Sequence, residues 1–270
     1  MQNLHFQKMN GAGNDFIMLD NRKDHLLLSG SEIARLCHRH RGIGADGLIL
    51  VEQSTDKKGL RMRYYNADGA EAEMCGNGAR CFARYAERLV PSTDQKICFE
   101  TAVGPISASL ATDEISLRMS QPDPFTEGVE LAVAGQTLTV YSINTGVPHA
   151  VALVDDLKAT DVGQLGAALR HHPHFQPRGT NVNFAQELGP QKLAIRTYER
   201  GVEGETLACG TGVVACALTW AAVTGAASPI RVLVQGGDTL KVAFASTAEG
   251  FREVILTGPA DFVFEGEITV

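Results

Sequence analysis

The sequence of 270 residues has no apolar run close to the roughly 20 residues that a membrane-spanning helix needs. Residues 1–10 also lack the charged start and the apolar stretch of a secretion signal. Positive charge is scarce, because 24 Lys and Arg residues against 31 Asp and Glu residues give a formal net charge of −7. Nucleic acids and anionic membranes favour a basic surface, so we expect neither as a partner. Since the membrane-spanning run and the secretion signal are both missing, we expect a cytoplasmic location.

Paired cysteine motifs are missing too, although six cysteines are present. None forms a Cys-x-x-Cys motif, and His171, His172 and His174 have no Cys or carboxylate neighbours at ligand spacing, so we expect no metal site. Without a secretion signal the cysteines are expected to be thiols. Four of them are interpreted as small core residues, because cysteine is among the most buried residue types: Cys37, Cys81, Cys98 and Cys216.

The chain does contain an internal repeat, with an offset of about 135 residues. In each half a strand, a helix, an Arg-Gly pair, two further strands and a polar turn lead to a Cys-Gly-x-Gly segment and a second helix. The two segments begin at Cys75 and Cys209; Asn14 precedes the first by 61 residues, and His149 precedes the second by 60. We expect two duplicated halves, 1–119 and 120–261, joined by a linker at 121–124.

Periodicity and capping residues predict the main elements of each half. Ser29 with Glu32 forms a capping box for the first helix, and its counterpart begins at Thr160 or Asp161 and runs to Arg170. The helix after Cys209 is apolar almost all round, so we expect it to be buried. Strands are predicted at 16–20, 48–51 and 60–65, and again at 150–155, 181–184 and 193–198.

The position of the two cysteines at helix starts indicates their chemistry. The first turn of a helix has unpaired N–H groups and the positive end of the helix dipole, which favour a thiolate and can bind a carboxylate. The glycines behind each cysteine let a ligand approach the backbone. Two such thiols, one in each half, point to inversion of a stereocentre, in which one thiolate removes the Cα proton and the opposite thiol delivers another.

Other polar residues lie near strand ends or turns beside the expected site, namely Asn14, Asn66, Asn181, Glu199 and Arg200. Together they can recognise ammonium and carboxylate groups, with Arg200 binding a carboxylate through two nitrogens. The G-x-G-x-x-G match at 42–47 follows a helix and precedes a strand, the reverse of a dinucleotide-binding turn. We therefore interpret these glycines as a tight connection beside the site.

Along nearly its whole length the sequence closely resembles the diaminopimelate epimerases. The resemblance lies in Gly11-Ala12-Gly13-Asn14-Asp15-Phe16, Asn66-Ala67-Asp68-Gly69, Cys75-Gly76-Asn77-Gly78-Ala79-Arg80-Cys81, Pro148-His149, Tyr198-Glu199-Arg200-Gly201, Cys209-Gly210-Thr211-Gly212 and Gly258-Pro259-Ala260. It implies interconversion of LL- and meso-diaminopimelate, for lysine and cell-wall precursor synthesis, without pyridoxal phosphate or another cofactor. It also implies a homodimer and an α+β fold of two pseudo-symmetric domains, each a curved mixed β-sheet around a central helix, with 262–270 returning to the first domain.

By position, the resemblance also implies roles for single residues. Cys75 and Cys209 would be the acid/base pair, and His149 and Glu199 would tune the thiols. The substrate-binding residues would be Asn14, Asn66, Gly76, Asn77, Asn181, Glu199, Arg200, Gly210 and Thr211. The chain departs from some members at Gly47 and Val147, where they have Gln and Asn, so substrate contacts there must come from water or other residues.

Two alternatives remain open from the sequence. Another two-thiol racemase, such as a proline racemase, would share the cysteine pair. Arg200 with Asn66 and Asn181 suits a second carboxylate, which a monocarboxylic imino acid lacks. A thiol redox or metal-binding module without turnover would instead need the two cysteines to pair with each other or to bind an ion.

Overall fold

A computed structural model of the chain describes residues 3–23, 26–55, 59–72, 74–90 and 94–270. In these residues the chain forms 18 strands and four α-helices. The strands are β1 (Asn3–Gly11), β2 (Asn14–Asp20), β3 (Gly47–Gln53), β4 (Leu60–Asn66), β5 (Glu71–Ala72), β6 (Lys96–Thr101), β7 (Gly104–Leu110), β8 (Ile115–Arg118), β9 (Thr126–Val133), β10 (Gln136–Asn144), β11 (Pro148–Leu153), β12 (Asn181–Gly189), β13 (Lys192–Glu199), β14 (Gly204–Thr206), β15 (Ile230–Leu233), β16 (Thr239–Thr247), β17 (Gly250–Gly258) and β18 (Asp261–Thr269). The helices are α1 (Gly30–Cys37), α2 (Gly76–Leu89), α3 (Val162–Arg170) and α4 (Gly210–Thr224).

The chain divides into two compact units. Unit 1 comprises Met1–Leu117 and Gly258–Val270, and unit 2 comprises Arg118–Thr257. In unit 1, β18 pairs antiparallel with β1, which pairs antiparallel with β2. The chain thus returns to its first strand before it ends.

The two units repeat one topology. In unit 1, β2 runs parallel to β3, β3 antiparallel to β4, and β4 parallel to β6 and antiparallel to the short β5. In unit 2, β11 runs parallel to β12, β12 antiparallel to β13, and β13 parallel to β15 and antiparallel to the short β14. The expected α+β fold, with an internal duplication and mixed sheets, is confirmed.

One helix of each unit lies inside the curve of its sheet. Helix α2 contacts β1, β2, β3, β4, β6 and β7, and α4 contacts β10, β11, β12, β13, β15 and β16. Contact with this many strands requires the sheet to wrap around the helix. The expected burial of α4 is confirmed, since its residues from Gly212 to Thr219 are buried.

The opposite face of each sheet is covered by the shorter helix. In unit 1, Ile33 and Leu36 of α1 pack with Ile17 and Leu48, and in unit 2 the residues of α3 pack in the same way. Because side chains alternate along a strand, the intervening residues face the long helix instead. The central strands are therefore buried on both faces, as parallel strands covered on both sides usually are.

The predicted helix starts are confirmed. Ser29 accepts a hydrogen bond from the backbone N–H of Glu32, and the Glu32 carboxylate accepts one from the Ser29 N–H at 2.7 Å, which completes the capping box. Asp161 caps α3 by accepting from the Gln164 N–H at 3.0 Å. Strand β11 ends at Leu153, before the predicted end at 155.

The interpretation of four cysteines as core residues holds for three of them. Cys37, Cys81 and Cys216 are buried. It is wrong for Cys98, which is exposed on β6. Alternation explains the error, because Ile97 and Phe99 on either side point into the core and turn the Cys98 side chain to the opposite face.

Candidate active site

Cys75 is the N-cap residue of α2. Its backbone is extended, with φ −134° and ψ 121°, and its Sγ accepts a hydrogen bond from the Gly78 N–H at 3.4 Å. The thiol therefore takes the place of the Ser or Asp side chain that usually caps a helix. In this position the sulfur contacts backbone donors that would stabilise a thiolate.

Cys209 is the N-cap residue of α4, with φ −124° and ψ 108°. It is buried, and its Sγ lies 3.5 Å from the Thr211 hydroxyl oxygen. A Cβ atom on Gly212 would lie only 2.4 Å from Asn183 Oδ1, so the second glycine of this Cys-Gly-x-Gly segment lets α4 begin directly against β12. Both predicted cysteines thus lie at the starts of the long helices.

In unit 1 the structure brings two predicted substrate-binding residues into contact. The Asn77 side-chain N–H donates to Asn14 Oδ1 at 3.0 Å, and the Asn14 side-chain N–H donates to Asp46 Oδ2 at 2.7 Å. Arg80, which is fully buried, donates to Asn77 Oδ1 at 2.9 Å. The amides of Asn77 and Asn14 therefore form a chain of hydrogen bonds between the Arg80 guanidinium and the Asp46 carboxylate.

Asn66 does not belong to that hydrogen-bond chain and is exposed at the end of β4. Its partner across the β3–β4 register is Gly47, one of the two departures from the family pattern. A Cβ atom on Gly47 would lie 2.6 Å from Tyr64 Cε2 and 2.6 Å from the Tyr65 carbonyl oxygen. A larger residue at 47 would therefore collide with the neighbouring strand as it stands.

In unit 2 a hydrogen bond connects two of the predicted residues, Asn181 and Arg200. Asn181 is buried, its side-chain N–H donates to the Pro148 carbonyl at 3.1 Å, and its Oδ1 accepts from the Arg200 backbone N–H at 2.9 Å. Asn181 thereby fixes the turn after β13 that carries Arg200. Glu199 is the last residue of β13, next to that turn.

His149 lies beside Asn181 in the parallel register of β11 and β12 and is 1 % exposed. Burial, with a smaller effect of the Arg200 charge, lowers the pKa of His149 to about 3. The imidazole is therefore neutral at physiological pH. Its Nδ1 lies 3.1 Å from the side-chain nitrogen of Asn183, a residue that the sequence analysis did not select.

The buried cysteines away from the helix starts are poor acid/base groups. Burial raises the pKa of Cys37 and of Cys81 to about 12, and it raises the pKa of Cys216 further. Thiols with such pKa values stay protonated at neutral pH and cannot act as nucleophiles or bases. Cys75 and Cys209 differ from them in position, since both cap helices.

Comparison with known proteins decides the family. The sequence profile of diaminopimelate epimerase matches residues 6–123 and 141–263. Diaminopimelate epimerase of Aquifex aeolicus is 39% identical over 279 residues, which cover 98% of this chain and 98% of that protein. Diaminopimelate epimerase of Chlorobaculum tepidum is 42% identical over 265 residues, covering 97% of this chain and 100% of that protein. The chain belongs to the diaminopimelate epimerase family.

The fold of this family member is also found in solved structures of more distant sequence. A Bacillus anthracis protein of the phenazine biosynthesis PhzF family superposes with a TM-score of 0.74 over 100% of both chains, at 16% sequence identity. That likeness concerns the fold alone. Membership in the diaminopimelate epimerase family makes the chain an isomerase of the amino-acid racemase and epimerase class.

A cavity, membrane-spanning helices and metal-binding groups were also sought in this family member. A cavity of about 290 Å³ in unit 2 lies beside the start of α3, lined by Leu138, Thr160 and Asp161 among others, and contains none of the predicted site residues. No helix in the described ranges is long and apolar enough to cross a membrane. Within the same residues no group of three or more His, Cys, Asp or Glu side chains could hold a metal ion.

The sequence analysis did not select Asp46, Arg80 and Asn183, which contact predicted residues, or Thr197, which contacts Asn183. A signal for Asn183 was present, because Asn183 follows Asn181 by two residues on one strand and so shares its face. It is also a polar residue in an apolar run, and buried amides are nearly always hydrogen-bonded. Asp46 and Arg80 gave no comparable signal, since charged residues beside turns and on helices are common.

Proposed function

We propose that the chain interconverts LL- and meso-diaminopimelate with Cys75 and Cys209 as its acid/base pair. The observation that carries the proposal is the repeated position of the two thiols, each capping the long helix of its unit. The family name of the relatives supplies the substrate. The two halves, which we place at 1–119 with 262–270 and at 120–261, would each supply one base.

The reaction requires two groups on opposite faces of one α-carbon. One cysteine thiolate takes the α-proton, so that a Cα–H bond breaks and an S–H bond forms. The other thiol gives its proton to the opposite face of Cα and is left as a thiolate. The two thiols exchange roles in the reverse direction, and no electrons leave the system, so the reaction needs no redox partner.

The activation free energy of the reaction comes mainly from the negative charge that develops on Cα beside the substrate carboxylate. Backbone N–H groups in the first turns of α2 and α4 are suited to stabilise it, as in an oxyanion hole, because they are oriented before the reaction begins. We assign this role to Gly76 and Asn77 in unit 1 and to Gly210 and Thr211 in unit 2.

Side chains of both units would recognise the remaining groups of the substrate. We assign Asn14, Asn66, Asn181, Glu199 and Arg200 to binding of its ammonium and carboxylate groups. The contacts of Asn14 and Asn181 support this, because both amides are held in fixed orientations by neighbouring groups. His149 and Glu199 would tune the thiols.

We also propose that the protein is a cytoplasmic homodimer, with no membrane or nucleic-acid partner. The net charge of −7 supports the last point, since nucleic acids and anionic lipids favour basic surfaces. Exposed apolar residues on β18 supply a surface for self-association.

Exchange of the α-proton with solvent deuterium tests the reaction and its substrate together. In D2O the wild-type protein should incorporate deuterium at Cα of LL-diaminopimelate while converting it to the meso isomer. Cys75→Ala and Cys209→Ala should each lower epimerisation by about 10²–10⁴-fold, because either change removes a base or an acid. Cys98→Ala is the matched control, since Cys98 is exposed on β6 and should leave the rate unchanged.

The same measurement separates the alternatives. Exchange of proline but not of diaminopimelate would show that the substrate assignment is wrong and that a proline-racemase-like activity is present. Exchange of neither compound would show that the epimerase proposal is wrong, and a redox or metal-binding module would then be the better explanation.

A further inference from the structure

His149 and Asn183 form a buried polar pair between two strands of unit 2. His149 is 1 % exposed and Asn183 is 0 % exposed. The Asn183 side-chain nitrogen lies 3.1 Å from His149 Nδ1. A buried imidazole can exist in two neutral forms, so the partner of each ring nitrogen determines which form is present.

The orientation of the Asn183 amide follows from its other contacts. The atom that faces His149 also lies 3.0 Å from the Ala150 carbonyl oxygen, which can only accept a hydrogen bond. That atom must therefore be the amide nitrogen. The other amide atom lies 3.0 Å from the Thr197 hydroxyl, which can donate to an oxygen. The contact with the Ala150 carbonyl and the contact with the Thr197 hydroxyl therefore favour the same orientation of the amide.

This orientation fixes the proton on His149. The amide nitrogen has only N–H donors, so His149 Nδ1 must accept and cannot carry a hydrogen. The single proton of the neutral ring then lies on Nε2. A doubly protonated ring would place an N–H group against the amide N–H group, and burial together with the Arg200 charge independently opposes that charged form.

The resulting Nε2–H group faces the interior. Nε2 is buried and has no hydrogen-bond partner among the described residues. Leaving a buried donor unsatisfied is unfavourable, so such a group is suited to an acceptor that arrives with the reaction. Because the positive Arg200 is near enough to act on the ring, that acceptor is expected to be an anion.

We propose that Asn183, held by Thr197 and the Ala150 carbonyl, is a positioning residue that fixes His149 as the Nε2–H tautomer, so that the ring donates to an anion. The anion is either a substrate carboxylate or a cysteine thiolate, and this part rests on the proposed function. The assignment of the His149 tautomer does not rest on the proposed function. In this role His149 is a neutral donor and not a proton-accepting base.

Nitrogen NMR of the full-length protein with 15N-labelled histidine tests the tautomer directly. A ring nitrogen that carries a proton has a chemical shift far from that of one that does not, and His149→Gln identifies the His149 signals by their loss. We expect Nε2 to be protonated and Nδ1 unprotonated in the wild-type protein between pH 5 and pH 8. Protonation at Nδ1 would overturn the proposal.

Two variants test the role of Asn183. In Asn183→Asp the carboxylate can only accept, so the proton should move to Nδ1. Thr197→Val keeps the shape of the side chain but removes one of the two contacts that orient the amide, so a minor population of the Nδ1–H tautomer should appear beside the Nε2–H form. Thr197→Ser should behave as the wild type. An unchanged tautomer in both Asn183→Asp and Thr197→Val would overturn the proposal, and Thr197→Val keeps the test valid if the aspartate variant does not fold.

The acceptor is identified by two further measurements. If it is a carboxylate, diaminopimelate should shift the Nε2 signal in the unreactive Cys75→Ala and Cys209→Ala proteins. If it is a thiolate, the signal should change with pH in the substrate-free wild type and stop changing in one cysteine variant. No change in either experiment would overturn the donor role.

Enzyme kinetics give an independent comparison. Thr197→Val should lower kcat by about tenfold, the cost of one weakened charge-assisted hydrogen bond, and Thr197→Ser should restore it. If the wild type shows no epimerase activity but has the Nε2–H tautomer, the proposed function fails while the inference about Asn183 stands.

Discussion

Asparagines in both units are oriented by partners that can only donate or only accept. Arg80 can only donate and the Asp46 carboxylate can only accept, so the amides of Asn77 and Asn14 between them have one allowed orientation. Asn183 is oriented in the same way in unit 2. Each helix-start thiol therefore belongs to a unit in which the donors and acceptors at the site are set before a ligand binds.

The buried neutral His149 should make stability depend on pH. Its pKa falls from 6.5 to about 3 on folding. Between these two pH values the His149 imidazole is protonated in the unfolded chain and neutral in the folded chain. The free energy of unfolding should therefore decrease as the pH falls from 6.5 towards 3, with a loss of about 2 kcal/mol by pH 5. Urea unfolding at pH 7 and pH 5 measures this loss.

Two substitutions show whether His149 is the source. In His149→Gln that part of the pH dependence should disappear, because glutamine does not titrate. In His171→Gln it should remain, since the His171 side chain is 63% exposed. Equal pH dependence in the wild type and His149→Gln would contradict the assignment.

At single residues the sequence predicts the helix-start positions of the two cysteines better than the contacts of the asparagines near them. Cys75 and Cys209 are recognisable because each stands before glycines and a helix. Asp46 supports Asn14 from a segment 32 residues away, and a contact over that separation leaves no local pattern. Arg80 supports Asn77 from three residues along α2, but the burial of its guanidinium is not visible in the sequence. The consequence of Gly47 was likewise visible only once Tyr64 was placed beside it.

At the scale of elements, the second glycine of the Cys-Gly-x-Gly segment has a packing role in unit 2. Gly212→Ala should lower the free energy of unfolding by about 1–3 kcal/mol, because its Cβ would lie 2.4 Å from Asn183 Oδ1. It should also lower epimerase activity, since either Asn183 or the start of α4 must move. Chemical unfolding and the deuterium-exchange assay measure the two effects.

Gly163→Ala is the matched control for that change. Gly163 lies in the first turn of α3, and a Cβ there would meet only Asp161 Oδ1 at 3.5 Å, an ordinary contact. This variant should be as stable as the wild type or more stable by up to about 1 kcal/mol, because alanine favours helix. Similar losses in both variants would attribute the effect to helix glycines in general.

The helices were predicted well because their signals are local. The Ser29 capping box, the Asp161 cap and the apolar surface of α4 all lie within a few residues of the element they define. Pairings such as β4 with β6 and β13 with β15 join strands separated by a helix. They follow from long-range packing, and the sequence indicated only that both halves share one plan.

At the scale of the whole molecule, the repeated topology explains why one chain carries two thiols in equivalent positions. Strands β2 to β6 with α1 and α2 correspond in order and direction to β11 to β15 with α3 and α4. Each copy places one thiol at the start of its long helix. In the proposed reaction, a duplicated domain would thus supply the pair of groups that inversion of a stereocentre requires.

The proposed homodimer makes a prediction about the surface of unit 1. Phe262, Val263 and Phe264 on β18 are 38%, 57% and 48% exposed, and three consecutive exposed apolar residues are typical of an interface. Val263→Lys should weaken self-association by at least about tenfold, because it would place a charge in the apolar contact. Sedimentation velocity over a range of protein concentrations measures the dissociation constant.

Val103→Lys is the control that isolates the β18 surface from a general effect of added charge. Val103 is 56% exposed, nearly the same as Val263, but it lies in the turn between β6 and β7. The control variant should keep the wild-type dissociation constant. If Val263→Lys and Val103→Lys weaken association equally, β18 is not the interface. A wild-type protein that stays monomeric at micromolar concentration would contradict the homodimer itself, while leaving the two-thiol chemistry of one chain untouched.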